Sequence, residues 1–256
     1  MLFRTFRTRR RTVLAIAAAL IAVVVAFVTV NVLVGHRDRQ SSDNVTANST
    51  SSLLVVTWGP SLCTAERSNP GCRSGHVGTL GPTLILHGLW PQPSTEQFCG
   101  LPKGQRAGSL PSLNLPQAVQ TDLQSKMSDV TIMAPHEWNA HGTCSGLAPA
   151  EYFSLAATLA GQASQVLDPV FRDGGGRVSL DAVRARLDAE FGPGAGKRAS
   201  LTCRNVEGAG MVAYEVQVSL PPIVDLKSAQ PPVSLKDVIT KGPPLSAGCR
   251  RGAVPR

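Results

Sequence analysis

His136-Glu137-Trp138-Asn139-Ala140-His141-Gly142-Thr143-Cys144 gathers two imidazoles and a carboxylate and closes on a cysteine able to fix the segment in place. Imidazole is the side chain whose ordinary pKa lets it both take and give a proton near neutral pH. Upstream, Leu84-Ile85-Leu86-His87-Gly88-Leu89-Trp90-Pro91 offers a third imidazole beside a large aromatic. A zinc-protease helix also joins His-Glu to a second histidine, but there the two ligands share one helical face, four residues apart. His136 and His141 stand five apart, about 500° of helical rotation, so their rings would diverge on a helix. That spacing removes the zinc reading. The plainer alternative, structural histidines beside a disulfide, suits any one of them taken singly. Three of the chain's five histidines falling in two such segments argues for a site.

These segments resemble the two active-site signatures of the T2 family of ribonucleases, in the family's order. Leu53-Leu54-Val55-Val56-Thr57-Trp58-Gly59-Pro60-Ser61-Leu62-Cys63 is similar to the family's first strand and the tryptophan, proline and cysteine that follow it. The resemblance extends over about residues 53–250. It implies an α+β fold with a central antiparallel sheet flanked by helices and held by disulfides. It also implies a metal-independent, cofactor-free endoribonuclease acting on single-stranded RNA. Of the cysteine pairings that spacing alone leaves open, the resemblance implies Cys99–Cys144 and Cys203–Cys249, which leaves Cys63–Cys72. The bridge between Cys99 and Cys144 would bring both histidine segments to one cleft.

In RNA the nucleophile is already in the substrate, because the 2′-hydroxyl lies beside the scissile phosphate. An enzyme must deprotonate that hydroxyl, protonate the departing 5′-oxygen and stabilise the charge gathering on phosphorus. On the family's motif positions, His141 is the general base, His87 the general acid and His136 a phosphate contact. Glu137 tunes the histidines or hydrogen-bonds a phosphoryl oxygen; its bland alternative is a surface carboxylate. The product is a 2′,3′-cyclic phosphate, then a 3′-phosphate. DNA lacks the nucleophile and is excluded as a substrate. Trp90 is the expected stacking platform for a base, worth about 1–3 kcal/mol, against the alternative of a core tryptophan. The resemblance adds Gln92 and Met133 to the base pocket.

Two departures qualify the resemblance. Ala140 stands where the family commonly has a lysine, which would bring positive charge to the transition-state phosphate. Gln92 stands where relatives often carry Asp or Asn, so their base preference does not transfer. Ala140 therefore leaves room for a second reading, a weak or inactive surface protein that binds RNA or a protein partner.

The chain ahead of these motifs has a different character. Residues 1–12 carry five arginines and no acid, and residues 13–34 are apolar except for Thr29 and Asn31. A run of that length suits a transmembrane signal-anchor better than the shorter core of a cleaved signal peptide, and no clear Ala-x-Ala site follows. The arginines should stay cytoplasmic. The rest of the chain is then expected outside the cytoplasmic membrane, or secreted if the segment is cleaved. Residues 35–52 read as a flexible polar linker containing two glycosylation-like triplets, Asn44-Val45-Thr46 and Asn48-Ser49-Thr50.

Residues 53–256 suit one catalytic domain, expected to be a monomer. The whole-chain charge of +8 misleads about it, since residues 53–256 carry 18 basic against 15 acidic groups, or +3. Such a balance is mildly favourable for a polyanion and too small for strong non-specific nucleic-acid binding. All six cysteines lie in this part, as expected in an oxidising compartment, and none forms the Cys-x2-Cys pair of a zinc site.

Apolar runs predict strands at Leu53–Thr57 and at Thr83–Leu86, the second delivering His87 at its end. Residues 91–116, rich in proline and glycine, read as a loop. Helices are predicted at Ala118–Met127, at Ala150–Leu167, and after a Ser179 cap where Leu180, Val183, Leu187 and Phe191 form a stripe. Leu201–Cys203 has strand character, and Met211–Leu220 alternates Val212, Tyr214, Val216 and Val218. Strands and helices without a regular βαβ rhythm point independently to α+β.

Overall fold

The structure, a computed structural model, describes residues 49–102, 113–227 and 232–256. The apolar run 13–34 lies outside the described residues. Among those described, no helix is long and apolar enough to cross a membrane.

In chain order, β1 (Ser51–Trp58) leads into three short helices, α1 (Gly59–Ala65), α2 (Pro70–Arg73) and α3 (His76–Leu80), and then β2 (Leu84–Gln92). There follow α4 (Gln117–Gln124), α5 (Val130–Ala140), the long α6 (Pro149–Arg172), β3 (Arg177–Ser179) and α7 (Leu180–Phe191). The chain continues through β4 (Ala199–Val206), β5 (Gly210–Leu220), α8 (Ile223–Lys227), α9 (Leu235–Val238) and β6 (Arg251–Ala253). This is an α+β fold. Its sheet runs β2-β1-β5-β6-β3, with β4 also paired to β5.

The sheet is mixed, which corrects the expectation of an antiparallel one. β5 meets β6 in parallel at Val212–Ala253, while every other pairing of these strands is antiparallel. A parallel neighbour needs a long return connection, and here it runs through α8 and α9. Gly252 makes the approach possible, since a Cβ there would stand 2.3 Å from the Ala213 nitrogen.

β1 is buried on both faces, which is why it reads as an unbroken apolar run. Leu54, Val56 and Trp58 join Leu84, Leu86 and Leu89 of β2 and Val216 and Val218 of β5 in the main core. α6 lays Tyr152, Phe153, Ala156, Leu159, Ala163 and Phe171 into the same cluster. Each fully buried side chain of the larger kind contributes about 1.5–3 kcal/mol. Trp58 stacks on Phe171 at 5.0 Å between ring centroids. A smaller cluster of Leu62, Val77, Ile85 and Tyr214 lies apart from it.

The predicted helices are present with shifted ends, α6 running on to Arg172. Ser179 caps α7 as expected, its Oγ accepting the Ala182 N–H at 3.2 Å. Two further differences matter for the site. β2 does not stop at His87 but continues through the whole first signature to Gln92. α5 was not foreseen, because Pro135 inside it reads as a breaker. It forms because Asp129 caps it, the carboxylate accepting the N–H groups of Thr131 (2.9 Å) and Ile132 (3.3 Å).

Candidate active site

A regular strand shows alternate residues to alternate faces, so His87 and Trp90, three apart, should point in opposite directions. They share a face because β2 bulges between them. Val55 of β1 pairs with Gly88 and Val56 with Leu86, leaving His87 as the extra residue. Leu86 and Leu89 remain in the core on either side of the bulge. The rings of His87 and Trp90 meet edge to face at 5.1 Å.

A second bulge acts on β5. Thr202 of β4 pairs with Glu215 and Cys203 with Ala213, leaving Tyr214 unmatched. The expected alternation from Val212 to Val218 is therefore broken. Ala213 and Val216 belong to the main core, Tyr214 to the smaller cluster, and Glu215 reaches His87.

The second signature forms the end of α5 and the turn after it. Glu137 and Trp138 lie in the last helical turn, and His141 is the capping residue, with φ −128° and ψ −48°. Leaving the helix at His141 frees its ring from the helical rotation that would carry it away from the site. Gly142 is needed at that exit, because a Cβ there would stand 2.3 Å from the Trp138 ring. The Cys99–Cys144 disulfide ties the turn to the loop after β2, and the Phe98 N–H donates to the Ala140 carbonyl at 3.0 Å. Below them the Tyr152 hydroxyl donates to the Leu89 carbonyl at 2.8 Å, fixing α6 to β2.

These elements bring His87, Trp90, Glu137, His136 and His141 together. The Trp90 indole N–H donates to Glu137 Oε2 at 2.8 Å, and the His141 ring stacks on the indole at 5.0 Å. Glu137 Oε1 lies 3.6 Å from His87 Nε2 and 4.0 Å from His136 Nε2, buried and without a hydrogen-bond partner. Gly88 leaves room for that carboxylate, since a Cβ there would come within 1.9 Å of Glu137 Oε2. Met133 lines a cavity of about 240 Å³ with His87, His136, Thr57, Glu66 and Tyr214. Gln92 ends β2, its side chain donating to the Pro91 carbonyl at 3.0 Å.

The surroundings drive the imidazoles apart. Burial works against the charge of His87, but the Glu215 hydrogen bond and the charges of Glu137, Glu215 and Glu66 outweigh it and raise the ring above 6.5. Burial, helped by the His136 and His87 charges, pushes His141 down to about 3. Burial lowers His136 as well, and His87 adds to that. Burial also drives the Glu137 carboxyl up to about 7, against the pull of His87 and of the Trp90 hydrogen bond.

Glu215 escaped the sequence reading. Its Oε1 accepts from His87 Nδ1 at 2.7 Å and from the Thr57 hydroxyl at 3.1 Å. The usable signal is the one charged side chain in the strand from Val212 to Leu220. The three disulfides are Cys63–Cys72, Cys99–Cys144 and Cys203–Cys249, as the resemblance implied. Among the described residues, no three His, Cys, Asp or Glu side chains are grouped to hold a metal ion.

Comparison with known proteins gives a consistent result. The sequence model of the Ribonuclease T2 family matches residues 50–226. The chain is 32% identical over 178 residues to "Ribonuclease MC" of Momordica charantia, covering 64% of this chain and 84% of that protein. It is 27% identical over 168 residues to a "Ribonuclease" of Aeromonas hydrophila, covering 61% of this chain and 60% of that protein. A point mutant of RNase MC1 in complex with 5′-GMP superimposes with a TM-score of 0.51 at 25% identity, over 68% of this chain and 90% of that one. RNase NT in complex with 5′-AMP shares the fold, with a TM-score of 0.53 at 19% identity over 80% of this chain and 97% of its own.

Proposed function

Because this chain belongs to the ribonuclease T2 family and is a T2-type endoribonuclease, we propose that it cleaves single-stranded RNA by transphosphorylation between two histidines. His141 takes the proton of the 2′-hydroxyl, and that oxygen attacks phosphorus. The bond from phosphorus to the 5′-oxygen breaks, and His87 gives its proton to the leaving oxygen. A 2′,3′-cyclic phosphate results, and water opens it to a 3′-phosphate with the two roles exchanged. Each such proton transfer is worth about 10²–10⁴-fold in rate.

One observation carries the assignment of base and acid. The two rings pack on the same indole, yet His141 is pushed towards its neutral form and His87 towards its charged form. A base must start neutral and an acid charged. Glu137, raised to about 7, can donate a proton to a phosphoryl oxygen with its unpartnered Oε1, and His136 stands beside it for the same phosphate. Met133 would contact a base from the cavity it shares with His87. Trp90 and Gln92 complete the substrate-binding set, although the indole is already engaged by Glu137 and His141.

Ala140 favours the second reading, a scaffold that binds RNA or protein with little catalysis, because it is buried and brings no charge. RNA incubated with the full chain in excess EDTA, beside a His141→Ala variant, separates the two. Chelator-resistant cleavage leaving cyclic-phosphate ends, abolished by the substitution, is the expected result. Intact RNA after incubation with the unaltered chain would overturn the enzyme assignment. The run 13–34 and its preceding arginines support a catalytic domain held outside the cytoplasmic membrane. Carbonate-resistant membrane association with protease access from outside is the matching expectation.

A further inference from the structure

The bulge that turns His87 towards the site also removes it from the strand ladder, so the regular pleat no longer fixes its ring. Something else must. Glu215 stands on the neighbouring side of β1, directly across from Thr57 in the β1–β5 register. Its carboxylate is buried, with 7% of the residue exposed. The two oxygens are held from three directions, Oε1 by the Thr57 hydroxyl and His87 Nδ1, Oε2 by the Thr202 hydroxyl at 3.4 Å. A carboxylate so constrained cannot swing away from the imidazole without abandoning both threonines.

We propose that Glu215 is the positioning residue for His87, binding Nδ1–H so that Nε2–H faces the scissile phosphate and the ring keeps its positive charge. The inference rests on the general-acid role given to His87 above. The other groups facing His87 do not hold its ring in this way. Glu137, from α5, is on the far nitrogen at 3.6 Å, beyond hydrogen-bonding distance, and loses its charge near neutrality. Glu66, past the end of α1, acts only through its charge, and its carboxylate is already engaged by Tyr214 and Arg204. His136 and His141 are the remaining titratable neighbours, and both are lowered.

The test follows the imidazole C2–H signals of the full chain by NMR across pH, with His87→Asn assigning the resonance. In the wild type His87 should titrate above 6.5. In Glu215→Gln, which keeps the shape and an acceptor oxygen but not the charge, the midpoint should fall by about one pH unit, a tenfold change in proton affinity. The alkaline limb of kcat/KM for RNA cleavage should move down by the same amount, with KM nearly unchanged. Glu215→Asp retains the charge on a shorter arm and should lie between. A His87 midpoint unchanged by Glu215→Gln, or a wild-type midpoint at or below 6.5, overturns the proposal. Should Glu215→Gln lose its near-ultraviolet dichroism, the Asp variant and the wild-type midpoint decide. Failure of the wild type to cleave RNA would refute the enzyme reading while the NMR titration still judged the link between Glu215 and His87.

Discussion

His141 and His87 must occupy opposite protonation states at the start of the reaction, and each boundary of that condition belongs to one residue. His141 is neutral at any pH above its depressed value of about 3, so the acid limb of kcat/KM should not lie near the pH of a free imidazole. A bell whose acid limb moves up when His136 is changed to Asn, because one of the charges holding His141 down is then gone, and whose alkaline limb lies above 6.5, is the expected profile. Gly88 makes a second prediction at this scale. Its missing Cβ leaves the space that Glu137 occupies at 1.9 Å, and the carboxylate is held there by the Trp90 indole. Gly88→Ala should therefore cost about 1–3 kcal/mol in urea unfolding and lower kcat as well, since Glu137 must leave its place. The residue types of the site were legible in the sequence because proton chemistry narrows the choice to very few side chains. Glu215 was not, because its partner His87 is 128 positions away and nothing local betrays the pairing.

At the scale of elements, two bulges and one helix exit aim the side chains. Bulges leave no compositional mark in a single sequence, which is why β2 was expected to end at His87 and β5 to alternate cleanly. α5 was hidden for another reason. Pro135 interrupts its pattern, and its stability comes from the Asp129 cap and from burial of Ala134 and Ala140 rather than from an amphipathic stripe. The Cys99–Cys144 bridge spans 45 residues, and closing a loop of that length is worth about 4 kcal/mol. Replacing both cysteines by serine should lower unfolding stability by about that amount, read from denaturant midpoints. Activity should fall further than stability alone explains, because the turn carrying His141 would lose its tie to the loop after β2.

Over the whole molecule, the α+β class could be read from apolar runs and caps, since the long α6 and the central strands bury enough surface to impose their period. The sheet's mixed character could not, because β3 and β6 have three residues each, too few to carry a pattern, and their pairing depends on the distant chain reversal through α8 and α9. Stability as a function of pH also belongs to the whole fold. His141 binds its proton at about 3 when folded and at 6.5 when unfolded. Between those values the unfolded chain holds more protons, so this group's effect is that stability falls as pH drops below 6.5. A His141→Gln variant, whose unfolded chain has no such proton to bind, should gain on the wild type in thermal melts as the pH is lowered through that window and keep a constant difference above it.

The Trp90 indole touches an imidazole at its edge, another on its face and a carboxylate at its nitrogen. Imidazolium quenches indole emission far better than neutral imidazole does. Light emitted by Trp90 is thus a built-in gauge of how much charge its neighbours carry, and with Trp58 and Trp138 replaced by phenylalanine it should brighten as His87 gives up its proton. The ring that organises the pocket would then report, without any added probe, on each change in protonation around it.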